Sequence, residues 1–377
     1  MTHDIVQLLS QLVAINSINP DLVPDGAGET EIAAFVAQWC RAAGLEVEID
    51  EAAVGRPNVI AVARGSGGGR SLLLNAHMDT VGVAGMDHPH EPEIKGNRLY
   101  GRGSYDMKAG LAAILMVAAQ AKQLNLRGDV IVTAVCDEEY ASIGTASVVK
   151  RVHADAAIVT EATAMDICTA HKGFIWLEIE TQGKAAHGSE PSLGVDAIAK
   201  MGSVLVGLEA LGRELQAAPS HPLLGAGSIH ASLIIGGQEL SSYPERCVLS
   251  VERRTVPGES PELVSAQVQQ ILDRSGNADP QFKAALRTLL VRDYSEIAAD
   301  APIVQLLQQH IVAAGRQPKI FGAPWWMDSA ILSAAGIPTV IFGPGGEGAH
   351  AVEEWVDLDQ VRECADILLK VVQDFCG

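Results

Sequence analysis

Five short segments of this chain carry the side chains best suited to chemistry: His77-Met78-Asp79, Asp106-Met107-Lys108, Asp137-Glu138-Glu139, Glu161 and His350. Two imidazoles and this many carboxylates can ligate two divalent ions and leave one carboxylate over. Two ions about 3.5–4 Å apart polarise a carbonyl and generate hydroxide at neutral pH, so the set points to hydrolysis. The charges agree. Asp106, Glu139, Glu161 and one bridging hydroxide would balance two divalent ions, with His77 and His350 as neutral donors and Glu138 left as general base.

Each segment also has a plain reading. Leu72-Leu73-Leu74-Asn75-Ala76 reads as a buried strand ending in His77, and Asp79 is near enough to hold that imidazole and fix its tautomer. A strand-end histidine bonded to a nearby aspartate is the plain alternative. Gly101 and Gly103 permit a tight loop before Asp106, which the pattern places at the start of an Ala-rich helix running to about Leu124. A helix start favours an anion, although an N-cap aspartate is common. Three acids directly after the apolar run 129–135 are costly unless paired or metal-bound. Glu161 follows the apolar run 156–160, and His350 sits in the glycine-rich 343–350 after a strand at 337–342. What joins them is their place at strand ends of one α/β region, where open sheets put their sites.

The elements that must position these residues can be read from periodicity. Ile5, Leu8, Leu9, Leu12 and Val13 share one helical face; 29–43 repeats the pattern and stops at Gly44. Strands follow at 58–63 and 71–76, separated by Gly65-Ser66-Gly67-Gly68-Gly69, a hairpin turn or loop with no phosphate-loop lysine. Helices and strands alternate to about 170, which indicates a layered α/β domain. From 174 the texture changes to a half-wet strand, a helix at 194–211, strands at 228–235 and 246–253, and a helix at 260–274. This is the order of a smaller α+β (β-α-β-β-α-β) domain. Beyond 296 the α/β texture returns with a helix at 301–314, the strand at 337–342 and a closing helix at 357–375. The predicted division is 1–173 with 295–377 as the catalytic domain and 174–294 as an insertion, with hinges near 172–175 and 292–297.

Composition narrows the function. The chain has 377 residues, 48% of them hydrophobic, and a net charge of −19. That acidity disfavours nucleic acid and anionic membrane surfaces as partners. Six cysteines at 40, 136, 168, 247, 364 and 376 form no CxxC pair, so neither a thiolate zinc site nor a disulfide framework is indicated. The N-terminal segment lacks signal-peptide character and no apolar run is long enough to span a bilayer, which fits a cytoplasmic protein. No GxSxG elbow is present, which counts against a serine hydrolase.

Taken in order, Asn75-Ala76-His77-Met78-Asp79, Gly101–Lys108, Asp137-Glu138-Glu139, Trp326-Met327-Asp328 and Gly343–His350 resemble the family of acetylornithine deacetylase, succinyl-diaminopimelate desuccinylase, aminoacylase and glutamate carboxypeptidase. The resemblance covers nearly the whole chain. It implies a zinc-peptidase-like catalytic domain with an inserted lid or dimerisation domain, and two zinc ions (cobalt and manganese being alternatives). Asp106 would bridge the ions, His77 and Glu161 complete one site, and Glu139 and His350 the other. Asp79 would orient His77, and Glu138 would take a proton from the metal-bound water and pass it to the leaving amine. His187, in Gly183-Lys184-Ala185-Ala186-His187-Gly188, would hold the oxyanion and often comes from a partner subunit in the family, so a homodimer is implied. Arg254 takes the position that binds a substrate carboxylate, with Arg253 as a surface residue or an exchange partner. Ser241 stands near where the family has an asparagine. Trp326, with Trp325, could line an acyl pocket or pack ordinarily; His88 and His90 could be surface or pocket residues. The implied reaction is deacylation of an N-acyl amino acid. Carboxypeptidase or dipeptidase action is the alternative, and a non-catalytic ligand-binding relative is disfavoured because no ligand position and no base is missing.

Overall fold

The computed structural model describes residues 4–377. The chain divides into two compact units: residues 4–169, 297–321 and 327–377 form one, and 170–296 with 322–326 the other. The second begins slightly before the texture change at 174 and includes a short piece from later in the chain.

The larger unit is built on a mixed sheet. Its strands run in the order Glu46–Ala53, Arg56–Ala63, Val130–Val135, Leu72–His77, Ala156–Val159, Thr339–Ile341 and Ile167–His171. Leu72–His77, Val130–Val135 and Ala156–Val159 are parallel neighbours, buried at every position. Continuous apolar runs are what strands covered on both faces require. His77 lies opposite Val135, and Asn75 opposite Val159. Their carboxyl ends therefore reach one edge of the sheet, and the chain leaves the sheet there into 137–139 and Glu161. The 65–69 segment is a loop rather than a hairpin turn, because Val130–Val135 lies between the two strands it joins. The hairpin is instead an additional strand, Glu46–Ala53, turning at Gly55 (φ 73°) into Arg56–Ala63.

Helix Ile5–Ala14 buries Ile5, Leu8, Leu9, Leu12 and Val13, and Asp4 caps it by accepting from Val6 N. Helix Thr30–Ala42 ends before Gly44, whose φ of 82° a side chain would resist. Helix Ala109–Ala121 is buried almost all round and packs against the closing helix Leu358–Cys376. It starts at Ala109, three residues later than the sequence pattern suggested. Asp106 stands ahead of it with φ −118° and ψ 94°, and its backbone N–H goes to the Glu354 carboxylate rather than into the helix. All six cysteines are buried free thiols. Among the described residues, no helix is long and apolar enough to cross a membrane.

The smaller unit is a four-stranded antiparallel sheet in the order Ser228–Gly236, Arg246–Thr255, Gly173–Gln182 and Ala284–Arg292. Helices Ala197–Ala217 and Pro261–Ala278 bury Met201, Val204, Val268 and Ile271 against Ile175, Leu177, Ile179 and Val251. The outer strand Ser228–Gly236 is different: Leu233, Ile234 and Ile235 are all exposed.

Candidate metal centre

The larger unit brings seven of the sequence-selected residues together. His77 Nε2 lies 3.3 Å from Asp106 Oδ1, 3.4 Å from Glu161 Oε1 and 3.9 Å from Glu138 Oε2. His350 Nε2 lies 3.4 Å from Asp106 Oδ2 and 3.1 Å from Glu139 Oε2. Asp106 thus offers one oxygen to each imidazole. Donor atoms of His77, Asp106 and Glu139 all fall within 4.8 Å of one another, as do those of His77, Glu138 and Glu161. His77 is buried, while the His350 side chain is 57% exposed.

Asp79 reaches His77 through its backbone carbonyl as well as its carboxylate. The nearest acceptor to His77 Nδ1 is the Asp79 backbone carbonyl at 3.0 Å, with the carboxylate at 3.5 Å. The carboxylate also accepts from the backbone N–H groups of Glu138 (3.1 Å) and Glu139 (3.2 Å) and from Asn19 Nδ2 (2.8 Å). One residue therefore fixes both the imidazole and the loop that carries the next two carboxylates. Asp137, the first of the three acids, turns away in a left-handed conformation (φ 66°) and accepts from Arg56 (2.9 Å) and Asn19 (3.0 Å). Arg56 also pairs with buried Glu29 at 2.8 Å and with Asp21. Asn19, Glu29 and Arg56 have no signature in the sequence beyond being polar residues near apolar elements.

Glu161 is placed by close backbone packing. A Cβ on Gly110 would lie 2.1 Å from the Thr160 carbonyl oxygen, and one on Gly343 would lie 2.4 Å from the Glu161 carbonyl oxygen. The Thr160–Glu161 backbone is thus hemmed in from both sides by chain segments that carry no side chain.

The electrostatics are those of a site short of positive charge. Burial, with the nearby charges of Glu161, Asp328 and Glu139, holds the Glu138 carboxyl well above the usual range despite His77. Burial and the Asp106 charge push Glu139 up to about 7, and burial likewise raises Glu161. Asp328, missed as a separate residue in the sequence reading, is also raised to about 7 by burial; it accepts from Thr145 at 2.7 Å. The histidines respond in the opposite sense. Burial disfavours the His77 cation, but the surrounding carboxylates hold its pKa well above normal, and hydrogen bonds to Asp106 and Glu139 raise His350 to about 10. Glu139 Oε1 is buried with no hydrogen-bond partner. A crowd of carboxylates that raise one another's pKa, an orphaned buried oxygen and two imidazoles make a donor set that fits divalent cations with a preference for N and O ligands.

Of the remaining selected residues, His187, Ser241, Arg253, Arg254, Trp325 and Trp326 belong to the smaller unit, and His88 and His90 to the larger. His187 is exposed, and its Nδ1 lies 2.8 Å from Ser189 Oγ and 3.2 Å from Ser189 N, so Nδ1 is engaged within its own loop. Ser241 lies beside it, its carbonyl accepting from Gly188 N at 2.7 Å. Arg254 Nε donates to Glu252 at 2.7 Å, and the guanidinium lies 5.2 Å from the centre of the Phe174 ring. Arg253 is not a surface residue: it is fully buried, paired with Glu259 and the Arg254 carbonyl. Strand alternation was the signal, since Leu249, Val251 and Arg253 share the inward face. The Trp326 ring is 9% exposed, set edge-on to His171 and Phe174, with its N–H donated to Asp293 O; Trp325 is half exposed. His88 is exposed and bonded to Glu91 within its own loop, and His90 is half-buried.

Residues 73–374 match the model of Peptidase family M20/M25/M40. An acetylornithine deacetylase from Myxococcus xanthus is 31% identical, covering 98% of this chain and 97% of that protein. An N-formyl-4-amino-5-aminomethyl-2-methylpyrimidine deformylase from Halalkalibacterium halodurans is 29% identical, covering 99% and 95%. A solved dinuclear metal-binding peptidase of the M20 family from Bacillus subtilis has the same fold, with a TM-score of 0.76 at 16% identity over 98% of each chain. With the family model spanning the strand-end segments and a relative aligned over nearly the full length, the chain belongs to Peptidase family M20/M25/M40 and is a hydrolase of amide bonds.

Proposed function

We propose that the chain removes the acyl group from an N-acyl amino acid, with two zinc ions as cofactor. The observation that carries this reading is Asp106, whose two oxygens face two different imidazoles at 3.3 and 3.4 Å. His77, Asp106 and Glu161 would hold one ion, and Asp106, Glu139 and His350 the other. Two such ions polarise the amide carbonyl and supply hydroxide at neutral pH.

The protein's own residues do the rest. Glu138 stands beside the ligand cluster, its oxygen within reach of His77 and Glu161; this reading keeps it out of both ion sets as the base, and burial keeps its proton affinity high. A carboxylate of that kind accepts a proton from the attacking water and returns it to the departing nitrogen. Asp79 holds the Glu138 and Glu139 backbone in place through both its oxygens. His187, whose Nδ1 is engaged by Ser189, has Nε2 to offer as a donor to a developing oxyanion. Arg254 is suited to a substrate carboxylate, since only its Nε is committed to Glu252 among the hydrogen bonds described for it. Ser241 neighbours His187, and the half-exposed Trp325 has more free ring surface for substrate than Trp326.

A homodimer through the smaller unit is part of this reading, as is a cytoplasmic location. The exposed edge strand Ser228–Gly236, with Leu233, Ile234 and Ile235 uncovered, supports an edge-to-edge partner. The test of the activity is amine release from a panel of N-acetyl, N-formyl and N-succinyl amino acids and dipeptides, with the protein stripped of metal and then resupplied with zinc. Zinc-dependent turnover of an N-acyl amino acid is the expected result. Turnover of dipeptides alone would replace deacylation with peptidase action.

A further inference from the structure

Two of the proposed ligands are not carried directly by strand ends. Asp106 stands in the irregular 101–108 segment, and His350 in a loop with a left-handed backbone (φ 61°). One buried carboxylate ties these segments together. Glu354 Oε1 accepts from the backbone N–H of Tyr105 (2.9 Å) and Asp106 (3.0 Å). Its Oε2 accepts from Gly103 N (3.0 Å) and from the Arg102 guanidinium (2.6 Å). Arg102, itself buried, donates as well to Ala351 O (2.9 Å), next to His350, and to Gly82 O (3.2 Å), downstream of Asp79. The Glu354 carbonyl accepts from Gly101 N at 3.1 Å.

We propose that Glu354 and Arg102 are positioning residues that set the spacing between the Asp106 carboxylate and the His350 imidazole. The inference rests on the dinuclear reading above. A carboxylate is acceptor-only, and here each of its oxygens takes two donors, so three peptide planes of the 103–106 segment are held by one side chain. No strand ladder holds Asp106 at φ −118° and ψ 94°. Rotation of those peptides would swing its oxygens away from the imidazoles. His77, by contrast, ends a strand flanked on both sides, and Glu161 is held by backbone packing. Asp106 serves both ions, but the ion it shares with His77 and Glu161 keeps two ligands anchored without Glu354, whereas of the other ion's ligands only Glu139 is, so the ion held by Asp106, Glu139 and His350 depends on Glu354 more.

Glu354→Gln keeps the shape but puts an amide NH2 against backbone N–H donors. Arg102→Lys keeps the charge but loses the planar fork that reaches Ala351 and Gly82. The test is a Zn2+ titration of the metal-stripped protein against a competing chelator, run on wild type, Glu139→Ala, Glu354→Gln and Arg102→Lys, with a thermal melt of each metal-free form. Wild type should bind two ions, and Glu139→Ala should lose one step. In Glu354→Gln that same step should weaken on the order of 10–100-fold while the other moves far less, the range usual for partners that orient ligands. Arg102→Lys should shift it in the same direction by less. Turnover lost at limiting zinc should return at correspondingly higher zinc.

A Glu354→Gln titration indistinguishable from wild type would overturn the proposal. So would an equal weakening of both steps, which is the mark of a general structural role. If Glu354→Gln does not fold, Arg102→Lys decides by the same two criteria. Fewer than two ions in wild type would instead remove the dinuclear reading, and the wild-type trace alone reveals that case.

Discussion

Asp137 and Glu138 are adjacent in the chain, yet their carboxylates sit in opposite surroundings. Asp137 joins a cluster with its own cation: Arg56 pairs with it and with Glu29, and Asn19 bridges to Asp79. Glu138 joins Asp106, Glu139, Glu161 and Asp328, a group for which the chain supplies no lysine or arginine among the ion pairs described, only two imidazoles. Burying charge is tolerable when it is paired and severe when it is not. The first cluster has a cation of its own in the polypeptide. The second is balanced only by something brought from outside, and the contrast is the strongest physical sign of a cation site in this molecule.

The comparison can be broken from either side. Stripping metal should abolish turnover altogether, and returning zinc should restore it, measured as amine release. Glu138→Gln should lower kcat by about 10²–10⁴-fold, the usual worth of a positioned acid–base group. Metal stoichiometry should not change, and a lost ion in that variant would reassign Glu138 as a ligand.

The counter-charged cluster is tested by Arg56→Met, which leaves Glu29 and Asp137 buried without their cation. The expected cost is about 3–5 kcal/mol of unfolding free energy by denaturant titration. A variant within error of wild type would mean that Arg56 is dispensable to the network. Protons sharpen the contrast. Without metal, burial and the Asp106 charge push Glu139 up to about 7, and hydrogen bonds to Asp106 and Glu139 raise His350 to about 10, so at pH 7 the first is partly and the second almost fully protonated, and an incoming ion must displace those protons. Zinc uptake at pH 7 should release protons, and apparent affinity should rise as pH increases from about 7 towards 10. Calorimetry in buffers of different ionisation enthalpy reads that release, and zero release would contradict the raised values. The smallest effect is expected from Ile235→Lys on the exposed edge strand. In the proposed homodimer it should shift sedimentation from dimer to monomer while changing the unfolding free energy of the chain by no more than about 0.5 kcal/mol.

Much of this was legible in the sequence because buried parallel strands read as unbroken apolar runs, and a charged residue directly after such a run has few places to go. That is how His77, Glu138, Glu139 and Glu161 could be selected. Asp106 was selected too, but its setting was misread. An Ala-rich stretch does not reveal where its helix begins, and the N–H groups ahead of Ala109 are taken by Glu354, 248 residues away from Asp106. Asn19 and Arg56 were invisible for the same reason. Their partner Asp137 lies 118 and 81 residues away, and a lone polar side chain carries no mark of such a distant bond. The smaller unit shows the reverse case. Period-two alternation was available to assign Arg253 inward, and the strand's burial follows it.

The bare backbone contacts at Gly110 and Gly343 have a consequence for tolerance to change. A hydrogen bond can stretch and a side chain can choose another rotamer, but two chains already touching have nowhere to retreat. Metal–ligand distances hold to within about 0.2 Å, and a methyl group at either glycine would have to be accommodated by moving the Glu161 segment or its neighbour. The dimensions of the candidate metal centre are thus gauged at this point by a mechanical stop: the thickness of two peptide chains pressed together.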